Sequence, residues 1–388
     1  GGFYYKAASS SSSRDNWLFH LQGGGECDTK RCARLLETGL GSSKFFALAH
    51  SFYGENLDVR MAVRECDEPD EEACEGNLMA AMSVLQVNRR HVNPDFYDWN
   101  MVFVPYCSQD LWTGRRKQAT ADTFGMYFSG ALIIDALIET LDTDHGMADA
   151  TNIVFSGNSA GGYGAHHHVD DVAAKHPLAE TTGLAVGGLW GFSYPYRGAG
   201  RTINIFSSFE KDNWRVLRRV WRAKVDGECM GEHPGDKINC MVGCAELPYK
   251  WSFQKSRMFF AEASTDCVML IYHNWIPPPP TGPDGIMDPN LCPAPQKEYL
   301  QEFSRNTTTC LRRGLRQVEQ DGGEDSVGIF SPACFIHTNF PDRIKIEGRS
   351  FREAFGDFVN RRGPTPKLLD EGFLTNPTCQ EGVSPTLI

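Results

Sequence analysis

The stretch Asn152-Ile153-Val154-Phe155-Ser156-Gly157-Asn158-Ser159-Ala160-Gly161-Gly162 decides the fold of this chain. Its apolar first half predicts a buried β-strand, and the residues after it predict an α-helix to about Lys175. Between the two, residues 157–161 fit the pattern Gly-x-Ser-x-Gly. In this context the pattern is typical of a nucleophile elbow, a sharp turn that exposes a serine hydroxyl. Ser159 is therefore the candidate nucleophile, and the alternative is that it only caps the helix.

Further apolar runs predict more strands, and helical patterns lie between them. The predicted strands are 17–21, 101–105, 184–189, 258–261 and 327–330, and the predicted helices are 120–141, 213–224, 295–313 and 349–361. Strands that alternate with helices give a mostly parallel central sheet with helices on both faces. Together with the elbow, they indicate an α/β-hydrolase-like fold. We expect one catalytic domain over residues 16–388, preceded by a loose segment, 1–15, that contains a run of serines.

A serine nucleophile needs a base within hydrogen-bond reach and a third group that orients the base. In this fold the acid and then the histidine follow the serine along the chain, on loops after later strands. Asp266 lies shortly after the strand 258–261, and His337 lies shortly after the strand 327–330. His273 is an alternative base, but residues 266–275 have a helical pattern that would carry it away from the loop face. The predicted triad is therefore Ser159, His337 and Asp266.

Ester hydrolysis also needs donors for the tetrahedral oxyanion. They are usually the amide after the nucleophile and one from a loop after an early strand. Ala160 supplies the first. The run Gly23-Gly24-Gly25 directly follows the strand 17–21 and matches the glycine-rich type of loop that supplies the second. An ordinary glycine turn is the alternative.

The composition excludes several classes of protein. The formal net charge of -11 argues against a nucleic-acid partner, which needs a basic surface. No stretch reaches the roughly 18 apolar residues of a membrane-spanning helix. His166-His167-His168 suggests a metal site, but consecutive helical side chains point about 100° apart and cannot converge on one ion. We therefore expect no metal, no nucleic acid and no membrane span.

Thirteen cysteines indicate disulfides in an oxidising compartment. No pair has the spacing of a structural zinc site, and the odd count leaves at least one thiol unpaired unless an intermolecular bridge forms. Several lie in close groups: Cys27 with Cys32, Cys66 with Cys74, and Cys229 with Cys240 and Cys244. The sequon at Asn306 is a glycosylation acceptor in the same compartment. The chain begins without methionine or a signal peptide, which is typical of a mature or trimmed product. These features together predict a secreted or secretory-lumen protein with long, disulfide-held loops.

Four segments resemble the pectin acetylesterase and Notum family. They are HLQGGGEC at 20–27, VPYCSQDLWTG at 104–114, GNSAGG at 157–162 with Val169-Asp170 downstream, and Ser264-Thr265-Asp266. The second segment is far more specific than Gly-x-Ser-x-Gly, and the resemblance extends from about Trp17 to His337. It implies an α/β-hydrolase-like fold and deacylation of an ester without cofactor or metal. By position it places the triad on Ser159, Asp266 and His337, and the oxyanion donors on Gly24, Gly25 and Ala160.

The resemblance implies a small carboxylic ester as substrate, and we expect an O-acetyl group on a carbohydrate. A lipid or protein deacylase of the Notum kind is the first alternative, and a deep apolar acyl cavity would distinguish it. A catalytically silent binding protein that kept the fold is the second.

Two departures from the family pattern bear on substrate binding. Glu26 stands beside the oxyanion loop, where the family usually has an aromatic residue. Its carboxylate would disfavour an anionic substrate there and can accept hydrogen bonds from sugar hydroxyls, so we expect Glu26 to bind substrate. The second departure is the strongly aromatic stretch 188–196, in which Trp190, Phe192 and Tyr194 would stack on sugar rings or line an acyl pocket. Core packing or anchoring of the loop is the alternative for these aromatics.

Overall fold

The computed structural model describes residues 2–27, 90–189, 194–201, 211–235, 237–242, 255–283 and 285–379. The chain divides into two compact units. The first comprises residues 1–188, 218–224 and 256–258, and the second comprises residues 189–217, 225–255 and 259–388. The expectation of a single catalytic domain stays a prediction.

Among the described residues, the first unit contains the strands β1 (Tyr4–Lys6), β2 (Asn16–Leu21), β3 (Asn100–Val104), β4 (Asn152–Asn158) and β5 (Glu180–Val186). Their spatial order is β1-β3-β2-β4-β5. The pairs β2–β3, β2–β4 and β4–β5 are parallel, and β1 runs antiparallel to β3. Strand β3 is buried along its whole length, as expected for a parallel strand that is covered on both faces.

Two helices of this unit are α1 (Gly130–Asp144) and α2 (Ala160–Lys175), and α2 begins directly after Ser159. Helix α1 starts about ten residues later than the sequence predicts. Phe124 and Gly125 have positive φ angles of 56° and 79°, so the chain turns there instead of forming a helix. The amide of Gly130 then donates to the buried carboxyl of Asp110 at 2.8 Å, which caps the helix from twenty residues upstream.

The N-terminal segment, expected to be a loose entry, contacts the rest of the first unit. Tyr4 pairs with Phe103 in the sheet. The hydroxyls of Ser10 and Ser13 donate to Asp98 Oδ2 at 2.9 and 2.8 Å. A strand of three residues is too short to leave a periodic pattern in the sequence, so the run of serines was the only visible signal there.

The remaining elements follow in chain order. They are α3 (Lys211–Trp221), α4 (Gly227–Glu232), β6 (Arg257–Ala261), α5 (Ala294–Gln320), β7 (Val327–Ser331), β8 (Lys345–Ile346), β9 (Arg349–Ser350), α6 (Phe351–Val359) and β10 (Lys367–Leu369). In the second unit the strand order is β6-β7-β10, and β10 is parallel to β7. Helix α6 packs aromatic rings on β6, since Phe355 and Phe358 each lie 5.4 Å from Phe259 between ring centroids. Among the described helices, none combines the length and apolar character needed to cross a membrane.

Disulfides hold the loops, as predicted. Cys229 bonds to Cys240 within one predicted group, and Cys334 bonds to Cys379 across 45 positions. Cys27 and Cys310 are also disulfide-bonded. Within the described ranges the free thiols are Cys107, Cys267 and Cys292, while Cys32, Cys66, Cys74 and Cys244 lie outside those ranges. The prediction of an α/β fold with a mostly parallel sheet and disulfide-held loops is confirmed.

Candidate active site

Ser159 lies at the turn between β4 and α2 in a strained backbone conformation. Its φ and ψ are 53° and -123°, a region that residues other than glycine adopt only when the surrounding structure enforces it. The Ser159 amide donates to Val186 O at 2.7 Å, which holds the turn against the end of β5. The side chain makes no capping hydrogen bond to α2. The alternative that Ser159 serves as a helix cap is therefore excluded.

The two glycines of the elbow are required by close backbone approach. A Cβ atom at Gly157 would overlap the carbonyl oxygen of Gly161, and a Cβ at Gly161 would overlap the carbonyl oxygen of Leu21. Both obstacles are main-chain atoms, which cannot swing aside. The Gly-x-Ser-x-Gly pattern is thus a consequence of packing the start of α2 against the ends of β2 and β4.

The predicted oxyanion loop, residues 23–25, lies beside the elbow. It follows β2, which pairs in parallel with β4 so that Leu21 is level with Gly157. A Cβ atom on Gly23 would come within 2.7 Å of Ser159 Cβ, so only glycine allows this approach. Across the described residues, no acceptor is hydrogen-bonded to the amides of Gly24 and Gly25. These amides are available to a ligand next to the serine.

The segment 104–114 braces the oxyanion loop. The indole of Trp112 donates to Gln22 O at 3.0 Å, and the side-chain Nε2 of Gln109 donates to Gly24 O at 3.1 Å. Because the carbonyl and the N–H of one planar peptide point in opposite directions, fixing Gly24 O also fixes the direction of the Gly25 amide. The segments 20–27 and 104–114 therefore occur together because the second holds the first in place.

Glu26 and Asp110 form a buried acidic pair behind this loop. Their backbones form an antiparallel bridge, and both residues are 0% exposed. Asp110 Oδ1 accepts from Ser108 at 2.6 Å, but burial outweighs its hydrogen bonds and raises its pKa to about 7. Because Glu26 is fully buried, it would touch a substrate only if its surroundings moved. Its substrate-binding role stays a prediction.

A buried histidine connects the elbow to the oxyanion loop. His20 Nε2 lies 3.1 Å from Asn158 Oδ1, and the same oxygen accepts from the Gly23 amide at 3.1 Å. His20 Nδ1 lies 2.9 Å from the hydroxyl of Ser156. An amide oxygen only accepts, so Nε2 carries the ring proton. Burial lowers the pKa of His20 to about 4, against the opposing effect of its hydrogen bond to Asn158, and the ring is neutral at physiological pH.

His20 is expected to destabilise the folded protein at acid pH. Its folded pKa of about 4 lies below the ordinary value of 6.5, so the unfolded chain takes up the proton first. The free energy of unfolding therefore keeps its full value above pH 6.5 and decreases as the pH falls to about 4. The total loss due to His20 is about 3 kcal/mol. Unfolding in urea between pH 7 and pH 4, compared with His20→Gln, measures it. Parallel pH dependences in the two proteins would contradict the assignment.

Asp266 and His337 form the acid–base pair of the second unit. They follow β6 and β7, which are neighbours in the sheet. His337 Nδ1 lies 2.6 Å from Asp266 Oδ2, and Asp266 Oδ1 accepts from the amides of Val268 and Met269, each at 2.9 Å. The carboxylate is therefore fixed on both oxygens. His337 Nε2 is buried and has no hydrogen-bond partner among the described residues, so it is available to accept a proton.

The other predicted residues are placed as follows. His273, the alternative base, lies buried in a single π-helical turn, Met269–His273. Tyr194 is 82% exposed, whereas Trp190 and Phe192 lie outside the described residues. Asn306 is exposed on α5. The three consecutive histidines are buried on α2, and no cluster suited to a metal ion occurs among the described residues.

The structure thus groups the predicted residues in two sets. Ser159 and Ala160 lie beside the loop of Gly24 and Gly25 in the first unit, and Asp266 is paired with His337 in the second. His20 and Asn158 were not among the predicted residues, and neither was Glu262, whose carboxyl group accepts from the Leu189 amide at 3.0 Å. His20 and Glu262 share one signal, a polar residue inside or just after a strand that is otherwise apolar.

A strained serine between a parallel strand and a helix, beside free loop amides, is characteristic of serine hydrolases of the α/β-hydrolase class. The comparisons with known proteins agree. The family model described as Pectinacetylesterase matches residues 75–380, and the chain belongs to the pectinacetylesterase family, whose members are carboxylic ester hydrolases.

Relatives of two kinds resemble the chain. Pectin acetylesterase 4 of Arabidopsis thaliana is 30% identical over 97% of this chain and 82% of its own length. Pectin acetylesterase 5 of the same plant is 26% identical over 97% of this chain and 79% of its own length. The palmitoleoyl-protein carboxylesterase NOTUM of Schmidtea mediterranea is 24% identical over 69% of this chain, which spans only 45% of that protein. The crystal structure of the Wnt deacylase Notum from Drosophila aligns with a TM-score of 0.67 at 21% identity, covering 98% of this chain and 94% of its own. That likeness concerns the fold.

Proposed function

We propose that the chain is a secreted serine carboxylesterase that removes small O-acyl groups, with O-acetyl esters of a carbohydrate as its expected substrates. The observation that carries the proposal is the strained Ser159 beside the unoccupied amides of Gly24 and Gly25. Strain of this kind persists where function requires it. An ester carbonyl next to Ser159 Oγ would meet both a nucleophile and donors for its oxygen.

The proposed reaction proceeds through an acyl-enzyme. His337 Nε2 takes the proton of Ser159 as Oγ bonds to the acyl carbon, and the amides of Gly24, Gly25 and Ala160 stabilise the oxyanion. The bond to the alcohol then breaks, and the alcohol leaves with the proton from His337. Water then attacks the acyl carbon and gives a proton to the same nitrogen. The bond between the acyl carbon and Oγ breaks, Oγ takes that proton back from His337, and the carboxylic acid leaves. Asp266 holds the imidazole in the tautomer that can accept on Nε2.

Two substrate classes compete. The acetyl ester is supported by the plant relatives, which the chain covers over about four fifths of their length. The second candidate is a long-chain acyl ester on a protein, which is supported by the names of the planarian relative and of the Drosophila structure. The two classes differ in the length of the acyl chain that the enzyme must bury. Each buried CH₂ group stabilises the bound substrate by about 0.8 kcal/mol.

A series of p-nitrophenyl esters from acetate to palmitate separates these candidates. For a small-acyl esterase, kcat/KM is expected to be highest for acetate and to fall steadily with chain length, because the longer chains are not accommodated. A maximum at long chains would support the protein deacylase and contradict the acetylesterase. No turnover of any member, with acetylated oligosaccharides equally inert, would favour the silent binding protein.

Secretion is the remaining part of the proposal. The two described disulfides, the bonded Cys27 and Cys310, and the exposed Asn306 of the sequon support it. Intact mass after alkylation without reductant is expected to show far fewer reactive thiols than the thirteen cysteines of the sequence. Alkylation of all thirteen in protein from its natural source would contradict both the disulfides and the compartment.

A further inference from the structure

Glu262 lies directly behind the acid–base pair. It is the first residue after β6 and precedes Asp266 by four positions, and the two residues are only 2% and 1% exposed. The connecting segment is held along the end of β7, since the Glu262 amide donates to Phe330 O at 3.0 Å and the Ser264 amide to Pro332 O at 3.1 Å. The chain therefore buries two carboxyl groups side by side on one rigid segment.

Only one of these carboxyl groups can be ionised. The Glu262 and Asp266 carboxyl groups lie within hydrogen-bond reach of each other, and a hydrogen bond between carboxyl groups needs a proton on one of them. Asp266 already accepts three hydrogen bonds, from His337 and the amides of Val268 and Met269, which is the environment of a carboxylate. Glu262 accepts one, from the Leu189 amide at 3.0 Å. Glu262 is therefore the neutral member.

The electrostatics agree with this assignment. Burial, and then the charge of Asp266, raise the pKa of Glu262 well above its ordinary value, and the single hydrogen bond from Leu189 opposes them only in part. Two adjacent buried carboxylates repel each other, so the pair keeps one proton at neutral pH.

We propose that Glu262 is a positioning residue that, as a neutral acid, donates its proton to Asp266 and holds the Leu189 amide with its other oxygen. The inference rests on the proposed function, because Asp266 matters for turnover only if the triad operates. Glu262 fixes the Asp266 carboxylate against His337 and carries no charge of its own. A second negative charge would hold the proton on the His337 imidazole and slow its release. It also ties the acid to Leu189, the residue before the aromatic stretch 190–194.

Two substitutions separate this role from a general structural one. Glu262→Gln keeps an oxygen for Leu189 and supplies an N–H for Asp266, so its kcat is expected to stay within about threefold of wild type. Glu262→Leu removes both hydrogen bonds at similar volume. Its kcat is expected to fall about 10- to 100-fold, the range for losing a hydrogen bond to a charged group, while KM changes by less than about threefold because no substrate contact is lost.

Infrared spectroscopy tests the protonation state and does not require Glu262→Leu to fold. The difference between wild type and Glu262→Gln at neutral pH is expected to contain the C=O stretch of a protonated carboxyl group. Loss of a carboxylate band alone would overturn the proposal. So would wild-type kcat in Glu262→Leu, or an equal loss in the Gln and Leu variants. Ser159→Ala, assayed in parallel, reports on the proposed function alone, since turnover by that variant would refute the nucleophile whatever the Glu262 variants do.

Discussion

Replacing Ser159 with alanine is expected to lower kcat on the order of 10⁴- to 10⁶-fold. The reason is chemical, because in the proposed reaction the Ser159 hydroxyl forms the acyl-enzyme bond. The side chain makes no capping hydrogen bond, so its removal does not weaken α2. The measurement is ester turnover together with labelling by a fluorophosphonate probe, and both should disappear.

The exposed Ser12 provides a matched control. Ser12→Ala should be labelled and should turn over ester like the wild type.

A second control uses the strained backbone of Ser159. Because Ser159 has a φ of 53°, Ser159→Gly should relieve about 1 to 3 kcal/mol of strain and melt at a higher temperature than Ser159→Ala, with neither variant active. Labelling of Ser159→Ala at the wild-type rate would refute the nucleophile, and equal melting temperatures would refute the strain.

The parts of the fold that the sequence predicted are those with local causes. Strands β2, β3, β4, β6 and β7 each contain a run of apolar residues. The elbow needs its glycines because a Cβ atom would collide with main-chain atoms of the turn itself at Gly157 and of β2 at Gly161. The features that the sequence missed depend on distant partners. The start of α1 is set by Asp110, and the Cys334–Cys379 bridge joins residues 45 positions apart.

The same distinction applies to the candidate site. The position of Asp266 and His337 after successive sheet strands can be anticipated from chain order, since such loops follow the strands of this fold. The burial of Glu26 could not be anticipated. Its position in the sequence places it beside the oxyanion loop but does not show which way its carboxylate points. Glu262 was missed because a lone glutamate after a strand usually lies at the surface, and only the packing around Asp266 shows otherwise.

Replacing Asp266 with asparagine is expected to lower kcat about 10⁴-fold with little change in fold. The amides of Val268 and Met269 both donate to Oδ1, so the asparagine oxygen will take that position. Its NH₂ group will then face His337 Nδ1, which in the native protein lies 2.6 Å from a carboxylate oxygen. An NH₂ group can only donate there, so the ring must carry its proton on Nε2, the atom that accepts a proton in the proposed reaction.

Asp288 offers a control with the same local geometry, because its Oδ1 also accepts from the amide two residues ahead, that of Asn290, at 2.8 Å. Asp288→Asn should retain wild-type kcat, whereas Asp266→Asn should lose both turnover and fluorophosphonate labelling while KM and the melting temperature change little. The labelling rate is informative because it reports proton transfer from Ser159 without the hydrolytic step. If Asp266→Asn kept kcat within tenfold of wild type, the tautomer of His337 would not depend on Asp266, and another carboxyl group would have to orient the base.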